Sequence, residues 1–182
     1  MEARRFGWTD IVRLGMVQAS LGAIVVLMTS TLNRIMVVEL TLPALLPGAL
    51  VALHYLVQIS RPRMGHGSDQ GARRTPWIIG GMAVLAAGAM LSTFATTLMS
   101  PSPVLGALLA TAGFIMIGLG VGAAGTSLLV LLAMRVDGER RAAAATIVWL
   151  MMIVGFAVTA GVAGKLLDPY RSEEHTSELQ SH

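Results

Sequence analysis

The feature that most constrains this chain is a succession of apolar stretches long enough to cross a bilayer. A hydrocarbon core about 30 Å thick takes about 20 residues of helix. A helix also satisfies its backbone N–H and C=O groups within one segment, as lipid requires. Five stretches meet or approach that length: 11–32, 43–59, 76–99, 104–133 and 142–164. The second is the shortest, and the fourth is long enough to tilt or to project beyond the bilayer. The expected fold class is all-α, a polytopic membrane protein with five transmembrane helices. Composition agrees, with 54% hydrophobic and 13% charged residues and a mean hydropathy of +0.71. Ordinary soluble domains carry about 25% charged residues, so a soluble globule is excluded, as are a disordered chain and a coiled coil. The absence of cysteine removes disulfides, thiolate metal sites and cysteine nucleophiles. The first stretch is too long for the core of a secretory signal and the next follows at once, so no such signal is evident.

Residues 171–182 break the pattern. They read Arg-Ser-Glu-Glu-His-Thr-Ser-Glu-Leu-Gln-Ser-His and hold three of the ten acidic residues and two of the four histidines. They offer no apolar face. The stretch resembles the in-frame translation of a sequencing-library adapter, and we set it aside as a non-native tail. The membrane domain is then 1–170, with 12 Lys/Arg against 7 Asp/Glu, and the natural protein is expected to continue past Tyr170.

Charge in the short connections sets the orientation. Arg4, Arg5, Arg13, Arg61, Arg63, Arg73, Arg74, Arg135, Arg140 and Arg141 fall on one side, and only Arg34 and Lys165 on the other. Basic residues stay on the cytoplasmic side of short loops. The N-terminus is therefore expected on the cytoplasmic side, with the fifth span ending outside. Basic loops that border apolar spans answer to topology, and no nucleic-acid partner is expected.

Between the second and third spans the chain reads Gly65-His66-Gly67-Ser68-Asp69-Gln70-Gly71-Ala72-Arg73-Arg74. Gly65 permits close helix approach. Asp69 suits a helix cap or an arginine partner, and Arg73 and Arg74 hold the loop at the inner surface. This arrangement resembles the cytoplasmic loop motif of the major facilitator superfamily, with Ala72 where the pattern usually has Gly. The resemblance implies an incomplete N-terminal half of a six-plus-six helix fold, whose loop latches as the halves rock. The connector Asp137-Gly138-Glu139-Arg140-Arg141 is similar to the acidic-basic link at the corresponding place, and is expected to pair with Asp69 or with Arg73 and Arg74.

Two departures narrow the function. Phe114 stands in Gly113-Phe114-Ile115-Met116-Ile117-Gly118 where many proton-coupled members have Arg. The fifth span lacks the Gly-Pro signature of drug–proton antiporters. No Asp or Glu lies deep in a span, and proton relays are normally built from intramembrane ionisable groups. The glycines of the fourth span do not make a nucleotide loop, since no strand precedes them and no Lys-Ser/Thr follows. Gly118 and Gly122 suit helix packing instead.

Further strings resemble the BCH/PucC family of photosynthetic bacteria. They include Gly7-Trp8-Thr9-Asp10, Thr29-Ser30-Thr31-Leu32-Asn33-Arg34, Leu46-Pro47-Gly48-Ala49-Leu50, Leu53-His54-Tyr55 and Arg61-Pro62-Arg63. Arg73-Arg74-Thr75-Pro76-Trp77, Gly122-Ala123-Ala124-Gly125-Thr126-Ser127 and Ala145-Thr146-Ile147-Val148-Trp149 continue the likeness. The resemblance implies a role in assembling light-harvesting complexes, with antenna polypeptides as partners and bacteriochlorophyll as ligand or cargo. The alternative is a small-molecule transporter of the same superfamily. A membrane enzyme is not expected: a diphosphate–magnesium site needs clustered carboxylates, and Asp10, Asp69, Asp137 and Glu139 lie on separate segments.

Inside the spans, His54 and Gln58 are four apart and share a helix face. They are the candidate pigment contacts, the competing reading being an interhelical hydrogen bond. Gln18 is read as inward-facing polar glue. Arg34 and Glu39 are expected to pair at the outer rim. Trp8, Trp77 and Tyr170 suit interfacial anchors, Trp149 core packing, and the methionines lipid-facing positions.

Overall fold

The computed structural model describes residues 5–70 and 74–167, and every element in them is helical. Helix α1 runs Trp8–Glu39, α2 Leu45–Val57, α3 Arg61–Gln70, α4 Arg74–Met99, α5 Pro103–Arg135 and α6 Gly138–Leu167. A 3₁₀ turn, Gln58–Ser60, joins α2 to α3. Four helices, α1, α4, α5 and α6, are long and apolar enough to cross a membrane. The segment expected as the second of five spans is the 13-residue α2, which enters α3 through that turn. The polar stretch expected as an open loop is thus helical through Gln70.

Local chemistry explains the ends and irregularities. At the start of α1, the Asp10 carboxylate accepts from the Gly7 N–H at 3.1 Å, with the acidic group in the first turn where the helix dipole favours it. Helix α1 runs on past residue 32 but winds as a π-helix over Leu27–Thr31 and Ile35–Glu39. Thr29 and Ser30 donate back to the Val25 and Val26 carbonyls, a competition that loosens the regular ladder. The helix stops at Thr41, whose φ of 50° is left-handed and costly for a β-branched residue. Pro103 opens the first turn of α5, where its missing N–H does no harm.

Two seams carry the packing, one antiparallel between α4 and α5 and one parallel between α1 and α6. Helix α4 lies along α5 through facing glycines. A Cβ on Gly120 would come 2.6 Å from the Gly81 carbonyl oxygen, and one on Gly88 2.8 Å from that of Gly113. Helix α6 runs beside α1 in the same direction, with a Gly155 Cβ position 2.7 Å from the Ala19 carbonyl oxygen. Backbone approach this close is the small-residue packing lipid-embedded helices use. Helix α5 is the hub. Gly118 meets the backbone of His54 in α2, and Gly122 faces Met64 in α3. Buried side chains form two clusters, one around Leu85, Phe114 and Ile117, the other around Ile11, Leu128 and Val148. The alternation of directions brings the starts of α1 and α4 and the α5–α6 turn to one end of the bundle.

The methionines divide between core and surface. Met16, Met90 and Met134 are exposed, whereas Met28, Met36, Met99 and Met152 are buried. The unbranched chains of Met99 and Met152 fill the space beside Gly106 and Gly22.

Candidate functional site

The helices α1, α2, α5 and α6 enclose a cleft of about 200 Å³. Apolar walls come from Leu21, Val121, Leu129 and Phe156, and polar groups from Gln18, His54, Gln58 and Arg61. His54, Gln58 and Arg61 recur at i, i+4 and i+7, so one face of the α2–α3 run delivers all three. That spacing makes Arg61, which the sequence marked only as a topology arginine and part of a family-like string, a legible member of the site. Met152 and Phe156, also four apart, line it from α6. They read in sequence as ordinary apolar residues, and nothing there distinguished them.

Two polar atoms in this cleft are buried without partners. His54 is 1% exposed and Gln18 5%. The Gln58 amide nitrogen lies 2.8 Å from His54 Nε2. An amide nitrogen only donates, so Nε2 accepts and the ring proton sits on Nδ1. That N–H has no acceptor, and Gln18 Oε1 has no donor. The other end of the Gln18 amide donates to Met152 Sδ at 3.3 Å, which ties α1 to α6. Buried polar groups are nearly always satisfied, so one unmet donor and one unmet acceptor mark a place for a polar ligand group or for water. The ring of Tyr55 meets that of His54 edge-on, with centroids 4.9 Å apart. Trp149, expected in the core, is 48% exposed and forms part of the cleft wall.

At the basic end, Asp137 accepts from Arg5 and from Arg140. These hydrogen bonds, from Arg140 first and Arg5 second, hold its carboxyl below the usual aspartate value. The Phe6 N–H also donates to the Arg135 carbonyl at 2.9 Å, so the N-terminal arm is clasped to the α5–α6 turn. The Arg140 guanidinium lies 5.7 Å from the Trp8 ring centre, within cation–π range. Of the connector, Asp137 and Arg140 therefore engage the N-terminal arm, while Glu139 and Arg141 are exposed beside them. Gly65 sits beside Thr126 of α5, and Gly67 beside the Trp77 ring. Asp69 lies in the last turn of α3 and Arg74 opens α4. Arg73, Tyr170 and the tail 171–182 lie outside the described residues. Among the described residues, Arg34 and Glu39 make no ion pair. An exposed rim pair is worth under about 1 kcal/mol, too little to bring the two together.

No solved structure matches the chain. A bacteriochlorophyll synthase 44.5 kDa chain of Rhodobacter capsulatus is 59% identical over 92% of this chain and 39% of its own length. Protein PucC of the same organism is 32% identical over 88% of this chain and 37% of its own, and protein PucC of Rhodovulum sulfidophilum 31% identical over 88% and 38%. The chain spans about two fifths of the length of these relatives. The family model described as PUCC protein matches residues 31–180, and with that match across most of its length the chain belongs to the PucC family.

Proposed function

We propose that this chain is part of a membrane factor that assists the assembly of bacterial light-harvesting complexes. The family match over 31–180 carries this reading. In it, the bundle belongs to a major facilitator half, with the N-terminus cytoplasmic and the motif of Gly65, Asp69, Arg73 and Arg74 acting as the inner latch. The cargo is bacteriochlorophyll, and His54 and Gln58 touch it. The cleft is smaller than the roughly 300–1,000 Å³ of ordinary ligand pockets, so it suits an edge of a macrocycle rather than the whole of one. His54 Nε2 already accepts from Gln58, and ligation of the pigment's magnesium there requires that amide to turn away.

Deletion of the gene in the source bacterium tests the role. Antenna absorbance should fall while pigment synthesis persists. Asp69→Asn, which removes the latch charge and keeps most of the shape, should lower antenna levels in the same direction. His54→Leu should reduce co-purified bacteriochlorophyll with membrane insertion unchanged. Normal antenna levels in the deletion strain, together with altered uptake or export of a solute, would replace this reading with a transporter of the same superfamily.

A further inference from the structure

The α5–α6 turn and the N-terminal arm enclose a second cavity, of about 180 Å³, lined by Arg5, Arg135, Asp137, Gly138 and Arg141 with Met134 at its edge. Its polarity is opposite to that of the apolar groove of about 410 Å³ between α4 and α5. Three of its side chains are cationic and one is anionic. The anion is already committed, because Asp137 accepts from Arg5 and from Arg140, a fourth arginine beside the cavity. The acidic neighbour Glu139 is exposed on the following turn. Arg5 and Arg140 share the one Asp137 carboxylate, and Arg141 adds a further positive charge beside the hollow.

The setting matters as much as the charge. The cavity lies at the mouth of two membrane-length helices, α5 and α6. Trp8, half exposed and capped by Arg140, sits beside it where amphipathic rings mark the headgroup level. Met134 is exposed next to it, and further along α6 Leu150, Ile153 and Val154 are exposed too. An anion bound in the cavity thus has apolar helix surface directly alongside, as a headgroup with acyl chains requires. Basic hollows between helix ends are suited to phosphate-bearing lipids, and arginine forks match phosphate oxygens.

We propose that this cavity binds the phosphate of an anionic phospholipid, with Arg141 and Arg135 as its ligands and the Arg5–Asp137–Arg140 clasp as the frame that positions them. The site is separate from the His54 cleft and does not depend on the assembly role.

The test uses the 182-residue chain in nanodiscs of phosphatidylcholine with one fifth phosphatidylglycerol. Native mass spectrometry reads the lipids retained on release from the disc. The wild type should keep phosphatidylglycerol in preference to phosphatidylcholine. Arg141→Gln and Arg135→Gln should each lower that retention about fivefold, while Arg63→Gln, on α3 away from the cavity, should leave it unchanged. Arg141 is exposed, so its substitution should not disturb folding, and circular dichroism confirms helix content. Equal losses from Arg63→Gln and Arg141→Gln would overturn the proposal in favour of diffuse surface attraction, and full retention in Arg141→Gln would overturn it outright. Millimolar inorganic phosphate is the second arm. If it displaces phosphatidylglycerol completely, the cavity is a free-phosphate site and the lipid assignment fails.

Discussion

Arg5 and Asp137 are 132 residues apart in the chain and share a hydrogen-bonded ion pair, which pins the arm before α1 to the turn between α5 and α6. The pair is exposed, so it does not hold the bundle together. It decides where the N-terminal arm lies, and therefore where Trp8 and Phe6 lie.

That relationship has a pH signature. The Asp137 carboxyl is held below its usual value by Arg140 and Arg5. A depressed carboxyl stabilises above its unfolded value, about 3.9, and the effect is lost as pH falls through the lower folded value. Hydrogen exchange of the Phe6 amide should therefore stay slow from neutral pH to about pH 4, and its protection should fall below that. Asp137→Asn should lose the protection at pH 7 already. Equal protection in variant and wild type at pH 7 would show that the Phe6–Arg135 backbone bond alone holds the arm.

The α1–α6 seam predicts a contrast between two glycines of one helix. A Cβ on Gly155 would press on the Ala19 backbone, whereas one on Gly161 meets nothing within 4 Å. Gly155→Ala should cost about 1–3 kcal/mol through forced backbone shifts. Gly161→Ala should be neutral or gain up to about 1 kcal/mol from helix propensity. Denaturant unfolding in micelles, followed by circular dichroism, separates the two.

His54 and Gln58 should behave as a unit. Removing Gln58 strands the His54 ring with neither nitrogen paired, so Gln58→Leu should destabilise by about 1–3 kcal/mol. The double variant His54→Leu/Gln58→Leu should recover part of that loss, giving a coupling near 1 kcal/mol in a double-mutant cycle. Strict additivity would mean that the 2.8 Å contact carries no energy.

Orientation is checked from the far end. With the N-terminus cytoplasmic, α6 runs outward alongside α1, and a reporter fused after Gly164 should read as external. A cytoplasmic signal from that fusion would reverse the assignment made from the arginines.

Much of this was legible in the residues because the bilayer makes the code coarse. Hydrocarbon demands about 20 apolar residues per span, so the long helices α4, α5 and α6 follow from hydropathy alone. Arginines sort by topology, so the charge asymmetry could be counted. The likeness of strings such as Leu53-His54-Tyr55 pointed to the family that the match over 31–180 shows. His54 and Gln58 were legible as a pair because helical spacing of four is a local property.

What tertiary structure alone decided is everything that depends on which helix faces which. Nothing in the string joins Arg5 to Asp137, because ion pairs between distant segments are set by how the helix ends converge. Gln18 and His54 become neighbours in one cleft, each with one unpaired atom, only once α1, α2, α5 and α6 surround it. The sequence by itself determined the long apolar helices, since they follow from transfer of local segments into lipid. The contact partners were left to the bundle, because lipid tails are as apolar as leucine and hydropathy cannot distinguish a helix face that meets lipid from one that meets a glycine seam.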